Sequence, residues 1–185
     1  LICPIPPYRQ DIGRACDIAE EVARMYGYDN IPMTLMSGDL QVGGLDTPEV
    51  LTDRTKQRLC ALGFCETMTY SFTGPRELDA LGLAENDPLR ACVKLRNPFG
   101  EEQSLMRTTM LPGLLGAVAL NISRKNSDFR LFEVATVFLP ETLPLTELPE
   151  EKQMLCLILC GRGEDFFTLK GAVESLAACL NIGEL

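Results

Sequence analysis

Four acidic residues near the start of the chain are the side chains best suited to binding a metal ion. Asp17, Glu20 and Glu21 fall within one turn of a predicted helix, and Asp11 lies in the turn just before it. Clustered carboxylates repel one another unless they share a cation, and hard cations such as Mg²⁺ prefer oxygen ligands. The spacing alone favours a simpler interpretation, in which an acidic first turn complements the helix dipole and the glutamates are solvated or paired with Arg24.

The chain contains no His, which excludes several kinds of catalytic site. Ser-His-Asp, Cys-His and His-zinc chemistry all need an imidazole. The glycines at 43–44 and 113–116 lack the residues of a phosphate-binding loop or a dinucleotide fingerprint, so we expect no ATP site in this chain. Arg107 and Arg130 resemble nucleotide-clamping arginines, but we predict that they form ion pairs in the core or at an interface.

The composition is that of an acidic globular protein. The 185 residues are 46% hydrophobic and 23% charged, with a net charge of −9. This supports one ordinary core, or one core with a small appendage, and argues against binding nucleic acid. The longest apolar run, 154–160, is far shorter than the ~20 residues that span a bilayer. Eight cysteines without a Cys-x-x-Cys pair, six of them in apolar periodic segments, predict free buried thiols in a reducing cytoplasm.

The hydrophobic pattern predicts the elements that would position these residues. Strands are predicted at 1–7 (an edge strand), 66–72, 91–95, 130–139 and 152–160, the last apolar on both faces and therefore central. Helices are predicted from Ala15 to a stop at Gly27, from an N-cap at Thr47 to about Leu62, and at 76–81, 111–124 and 168–180. Helices between strands without regular βαβ alternation indicate an α+β domain with a largely antiparallel sheet. The chain begins at Leu1 and stops just after a helical pattern, so we expect a piece of a longer protein.

Five segments carry a distinctive combination of residues. They are Tyr8-Arg9 with Tyr26-Gly27-Tyr28-Asp29-Asn30-Ile31-Pro32; Gly63-Phe64 with Glu66-Thr67-Met68-Thr69-Tyr70-Ser71-Phe72; Ser104-Leu105-Met106-Arg107-Thr108-Thr109-Met110-Leu111-Pro112-Gly113; Arg130-Leu131-Phe132-Glu133-Val134; and Phe167 with Leu169-Lys170-Gly171. In this order they closely resemble the beta subunit family of bacterial phenylalanyl-tRNA synthetase, over essentially the whole chain.

The resemblance implies an α+β fold with a class II aminoacyl-tRNA synthetase-like, non-catalytic core at 47–185. A linker at 33–46 and the end of a small acidic-helix module at 1–32 would precede it. In the family, the alpha subunit activates phenylalanine with ATP, and two alpha and two beta subunits together charge tRNA(Phe) in the cytoplasm. ATP is then a substrate of the whole enzyme, this chain holds no catalytic or cofactor-binding residue, and the isolated fragment is inactive.

The resemblance also changes the interpretation of the four acids. Matching positions in the family are associated with a Mg²⁺ shared with the alpha subunit. It therefore predicts a magnesium site at Asp11, Asp17, Glu20 and Glu21 that is incomplete in this chain alone. The helix at 48–62 and the strand after it would join the alpha–beta interface. Two alternatives are a free-standing tRNA-binding or nucleic-acid-binding module, which predicts salt-dependent tRNA binding, and an independent amino acid-activating enzyme, which predicts pyrophosphate exchange.

Overall fold

A computed structural model describes residues 2–40 and 42–183. The chain divides into two compact units, Leu1–Gly44 and Leu45–Leu185. Within the described residues, no helix combines the length and the apolar character needed to cross a membrane.

Among its described residues, the first unit contains one α-helix, α1 (Ala15–Tyr26), followed by a 3-10 turn at Tyr28–Asn30. The helix ends as predicted, because Gly27 adopts a positive φ of 94° and donates its N–H to the carbonyl of Ala23. The strand predicted at 1–7 is wrong for residues 2–7, which form no strand. Prolines at 4, 6 and 7 lack the N–H that a strand ladder needs. The predicted linker at 33–46 contains neither helix nor strand at 33–40 and 42–46.

The second unit contains four α-helices and five strands among its described residues. The helices are α2 (Thr47–Ala61), α3 (Pro75–Ala80), α4 (Leu111–Ser123) and α5 (Phe166–Cys179). The strands are β1 (Cys65–Glu66), β2 (Phe72–Thr73), β3 (Leu105–Met106), β4 (Phe129–Leu139) and β5 (Glu150–Cys160). The N-cap of α2 is Asp46 rather than the predicted Thr47. Its carboxylate accepts the N–H of Glu49 at 2.9 Å, and the Glu49 carboxylate accepts the N–H of Asp46 in return.

A three-stranded sheet in the order β1-β4-β5 forms the centre of this unit. β4 and β5 pair antiparallel along their whole length, with Phe132 opposite Leu157, whereas β1 runs parallel to β4. The predicted central position of β5 is wrong, because among the described strands it pairs only with β4. Its two-sided apolar pattern arises from helices on both faces rather than from strands on both edges. A separate antiparallel pair joins β2 to β3.

The alternation of side chains along β4 and β5 places one hydrophobic cluster on each face of the sheet. On one face, Phe132 packs with Leu59 of α2 and Leu176 of α5. On the other face, Val137 packs with Met110 and with Leu114 of α4. The sheet is therefore covered by helices on both sides along its apolar half.

Two predicted strands are not continuous in the structure. The predicted strand at 66–72 becomes β1 and β2, with an irregular segment at 67–71 between them. Side chains replace the strand ladder there, because the carboxylate of Glu133 accepts the backbone N–H of Thr69 at 3.0 Å. The predicted strand at 91–95 forms only an isolated bridge between Lys94 and Leu105.

The eight cysteines are free, as predicted, but most are not buried. Cys92 is buried and its pKa is raised by burial. Five others are exposed: Cys3, Cys16, Cys60, Cys65 and Cys179. The apolar periodicity around them located the elements correctly, but did not show which face each thiol occupies.

Candidate functional site

The turn before α1 sets the position of Asp17. Its carboxylate accepts the backbone N–H of Gly13 at 2.9 Å and that of Arg14 at 2.7 Å. These hydrogen bonds lower the pKa of the Asp17 carboxyl, because they favour its charged form. Asp17 therefore satisfies two backbone donors in the turn that leads into α1.

Asp11 and Glu21 are brought together by an arginine. The guanidinium of Arg9 lies 2.7 Å from the Asp11 carboxylate and 2.6 Å from the Glu21 carboxylate. Arg24 contacts the second oxygen of Glu21 at 2.6 Å. Hydrogen bonds from Arg9 lower the pKa of both carboxyls, with Arg24 contributing to the lowering at Glu21. The cation shared by these two acids in the structure is thus a guanidinium.

The four predicted metal ligands do not fit a magnesium site formed by this chain alone. Glu20 is exposed, and the other three carboxylates already bind Arg9, Arg24 or backbone N–H groups. Across residues 2–40 and 42–183, no three Cys, Asp or Glu side chains are grouped so that they could hold a metal ion. A divalent cation would have to displace Arg9 to reach both Asp11 and Glu21. Metal binding by these residues stays a prediction.

The most buried polar cluster lies in the second unit, and it confirms the ion pair predicted for Arg107. Arg107 contacts Glu133 at 3.2 Å, and their side chains are 6% and 3% exposed. Arg107 also donates to the backbone carbonyl of Thr136 at 2.8 Å and to the hydroxyl of Thr69 at 3.1 Å. Both oxygens of Glu133 accept hydrogen bonds from Thr69, one from the backbone N–H and one from the hydroxyl. Sequence reasoning named the arginine but missed the acid. Glu133 had a visible signal, because it is the one acidic residue between Arg130 and Leu139.

Arg130 forms the second predicted ion pair. It contacts Glu164 at 2.8 Å and donates to the carbonyl of Leu62 at 3.0 Å. Its guanidinium lies 6.0 Å from the centre of the Phe64 ring. These contacts tie β4 to the turn after α2, so this arginine is also used for packing.

An open cleft lies between the irregular segment 67–71 and α4. Its volume is about 510 Å³, and Met68, Tyr70, Gly113, Gly116 and Leu120 contribute to its walls. A second groove of about 460 Å³ lies between α2 and α5 and is lined mostly by apolar side chains. The sequence predicted α2 at the interface with the alpha subunit. In the structure α2 packs on α5 and β4, and Arg58 donates a hydrogen bond to the hydroxyl of Ser175.

Comparisons with known proteins agree with this architecture. The family model described as the phenylalanyl tRNA synthetase beta chain CLM domain matches residues 31–185, and that of the tRNA synthetase B5 domain matches residues 1–28. The phenylalanine–tRNA ligase beta subunit of Syntrophotalea carbinolica is 41% identical over 100% of this chain and 24% of its own length. That of Syntrophus aciditrophicus is 38% identical over 96% of this chain and 23% of its own length. The chain therefore spans about a quarter of the length of these curated relatives.

A solved structure shows the fold independently. Pyrrolysyl-tRNA synthetase from Desulfitobacterium hafniense superposes with a TM-score of 0.59 at 21% identity, covering 73% of this chain and 47% of that one. The likeness confirms the predicted α+β fold.

Proposed function

The chain belongs to the phenylalanyl-tRNA synthetase beta chain family, and from this premise we propose that it is a non-catalytic core portion of the beta subunit of a phenylalanine–tRNA ligase. The whole enzyme would charge tRNA(Phe) with phenylalanine at the expense of ATP. This portion would support the assembly rather than carry out the chemistry.

The non-catalytic role is supported by the side chains on the face of the sheet that α4 covers. Binding ATP phosphates needs arginine or lysine donors directed at the ligand. Arg107 instead directs its donors to Glu133, Thr69 and the carbonyl of Thr136, all within the fold. The rest of this face is filled by the apolar cluster of Met110, Leu114 and Val137. Because its arginine is paired inside the fold and its apolar side chains pack beneath α4, this face supports a structural rather than a catalytic role.

The proposed partner is the alpha subunit of the ligase, in an assembly of two alphas and two betas. The relatives are named as beta subunits, which supports the existence of a partner subunit. Large apolar side chains exposed on the second unit, including Met68 and Tyr70, support a surface that is covered in the assembly.

The magnesium proposal follows from the family and is limited by the geometry of Arg9. We expect Asp11, Asp17, Glu20 and Glu21 to bind Mg²⁺ only if the alpha subunit supplies further groups. Calorimetric titration should then detect binding to the alpha–beta complex and none to this chain alone. Binding should disappear in an Asp17→Ala, Glu21→Ala double variant and persist in Glu174→Ala; loss in neither variant would contradict the proposal.

Reconstitution tests the proposed function directly. A full-length beta subunit that contains this sequence should form a stable complex with an alpha subunit and aminoacylate tRNA(Phe), while the 185-residue chain alone should give no pyrophosphate exchange. Exchange by the chain alone would overturn the non-catalytic role. Salt-dependent tRNA binding by the chain alone, without any complex with an alpha subunit, would favour the nucleic-acid-binding alternative.

A further inference from the structure

Three basic residues gather at one end of the β4–β5 pair. Arg124 and Lys125 follow α4, and Arg162 lies in the turn that follows β5. The two turns are neighbours, because β4 begins opposite the last residue of β5, Cys160, whose thiol donates to the carbonyl of Ser127 at 3.8 Å. All three basic residues are exposed, and none forms an ion pair with a described residue. We call Arg124, Lys125 and Arg162 the basic end.

The turn after α4 is ordered by its own backbone. Lys125 adopts a positive φ of 66°, and its N–H donates to the carbonyl of Ile122 at 2.9 Å. The N–H of Asn126 donates to the carbonyl of Asn121 at 3.0 Å. Such preorganisation lowers the entropic cost of binding a ligand. Cations after a helix also complement its dipole, but Arg162 follows a strand and has no such role.

Most acids close to the basic end already have partners in the fold. Glu164 contacts Arg130 at 2.8 Å, and Asp165 accepts both the N–H and the hydroxyl of Thr168. Asp128 is the acid here that has neither an ion pair nor a hydrogen-bond partner for its side chain among the described residues. The three cations therefore outnumber the acids that are left without a partner.

The other end of the β4–β5 pair is acidic. Segment 140–149 carries Glu141 and Glu147, and β5 begins with Glu150 and Glu151. Because β5 has 11 residues, at ~3.4 Å per residue its ends are about 34 Å apart. That separation is several times the Debye length of roughly 8 Å at physiological salt. The acids of this end therefore do little to offset the basic end, and the net charge of −9 does not describe it.

Two exposed phenylalanines follow the basic end directly. α5 begins at Phe166, just after the turn that contains Arg162, and Phe166 and Phe167 are 71% and 75% exposed. Their ring centroids lie 5.6 Å apart at an angle of 79°, so the rings contact each other and not the core. Cations that bind phosphates, next to aromatic rings on which bases stack, are typical of surfaces that bind unpaired nucleotides.

We propose that the basic end and the Phe166–Phe167 pair form a contact site for tRNA in the assembled ligase. The three cations bind backbone phosphates, and the rings stack on an unpaired base. This inference rests on the proposed function, which makes tRNA the substrate, and it names the surface of this chain that touches it. A protein partner suits the surface less well, because the centres of protein interfaces are depleted in charged residues whereas nucleic-acid interfaces are strongly basic.

Three variants of the full-length beta subunit, each in complex with an alpha subunit, test the site. The first removes the charges of the basic end and combines Arg124→Gln, Lys125→Gln and Arg162→Gln. The control makes the same change of charge at three exposed residues near α3 and β3, and combines Arg76→Gln, Lys94→Gln and Arg96→Gln. The third keeps apolar side chains but removes the rings, and combines Phe166→Leu and Phe167→Leu. All replaced side chains are exposed, so each variant should melt at the temperature of the wild type.

Fluorescence anisotropy of labelled tRNA(Phe) over a series of salt concentrations gives the deciding measurement. We expect the basic-end variant to raise the dissociation constant about tenfold or more at about 0.1 M salt. Its plot of log affinity against log salt should be shallower by about 2, because each phosphate contact contributes ~0.7–0.9 to the slope. The ring variant should raise the constant about fivefold or more without changing the slope. The control should stay within about threefold of the wild type, with the same slope.

An unchanged dissociation constant in the basic-end variant or in the ring variant, with normal tRNA binding by the wild type, would overturn the inference and leave the proposed function intact. An equal loss of affinity in the control would assign the effect to overall charge and also overturn the inference. Loss of the alpha–beta complex in the basic-end variant would assign the surface to a protein contact, with the same consequence. A wild-type beta subunit that forms no complex with an alpha subunit and supports no aminoacylation would overturn the proposed function itself.

Discussion

Replacing Glu133 with Gln would remove one charge from the buried pair while nearly preserving the shape of the side chain. In the wild type, the Glu133 carboxylate balances Arg107 at 3.2 Å and accepts two hydrogen bonds from Thr69. A Gln amide oxygen can still accept the Thr69 N–H, but the guanidinium of Arg107 would stay buried without a counter-charge. The free energy of unfolding should therefore fall.

The magnitude follows from the burial of both groups. Their side chains are 6% and 3% exposed, so solvent does little to screen the remaining charge. Breaking a buried ion pair by removing one partner costs about 3–5 kcal/mol, and the retained hydrogen bond places Glu133→Gln near the lower end. A loss of about 3 kcal/mol corresponds to a melting temperature roughly 10 °C lower for a domain of this size.

Urea denaturation of the chain, followed by circular dichroism, would measure the change in the free energy of unfolding. The matched control is Glu174→Gln, which removes a charge from the pair with Lys170, where both side chains are 55% exposed. Exposed pairs on a helix contribute about 0.5 kcal/mol or less. If both variants lost the same free energy to within about 0.5 kcal/mol, the reasoning that assigns the Arg107 pair a buried structural role would be refuted.

Three further predictions concern the glycines of α4, two of the cysteines and the cap of α5. Gly116→Ala should raise the free energy of unfolding by up to about 1 kcal/mol, because Ala favours a helix more than Gly and meets nothing within 4 Å. Gly113→Ala should lower the free energy of unfolding, because the added methyl group would clash with the Thr69 hydroxyl. Urea denaturation measures both changes. Cys60 should react with a thiol reagent in the native chain, while Cys92 should react only on unfolding, because burial raises its pKa and hides its sulfur; equal native rates would contradict this. Asp165 caps α5, and the hydrogen bond from the backbone of Thr168 lowers the pKa of its carboxyl. The urea midpoint of the wild type should therefore exceed that of Asp165→Ala at pH 7, and the difference should vanish as the pH falls below 4 through the lowered pKa. A difference that persisted in acid would exclude the charge of Asp165 as its source.

Local signals in the sequence were sufficient for most helices and for the two long strands. Gly27 follows α1, and Pro48 and Gly63 lie near the two ends of α2. The strands β4 and β5 lie within two residues of their predicted bounds. The strand predicted at 66–72 is wrong over 67–71, because the shape of this segment is set by Glu133 and Arg107, which are distant in sequence. The order of the strands escaped for a similar reason. Apolar residues on both faces of a strand show that both faces are covered, without showing whether another strand lies at its edge.

The two acidic features of this chain show what decides whether a carboxylate is available to a ligand. Asp11 and Glu21 belong to the acidic group around the start of α1, yet both are paired with Arg9, and Glu21 is also paired with Arg24. Glu133 stood alone in an apolar strand, yet it holds the most buried ion pair of the described residues together with Arg107. The spacing of charged residues in the sequence indicates which side chains can come into contact. Their burial and the number of hydrogen-bond donors around them decide which carboxylates already have partners. The carboxylates of Glu21 and Glu133 are already paired with arginines inside the fold, whereas the large apolar side chain of Tyr70 is exposed. This contrast supports the proposed role of the chain in binding a partner protein.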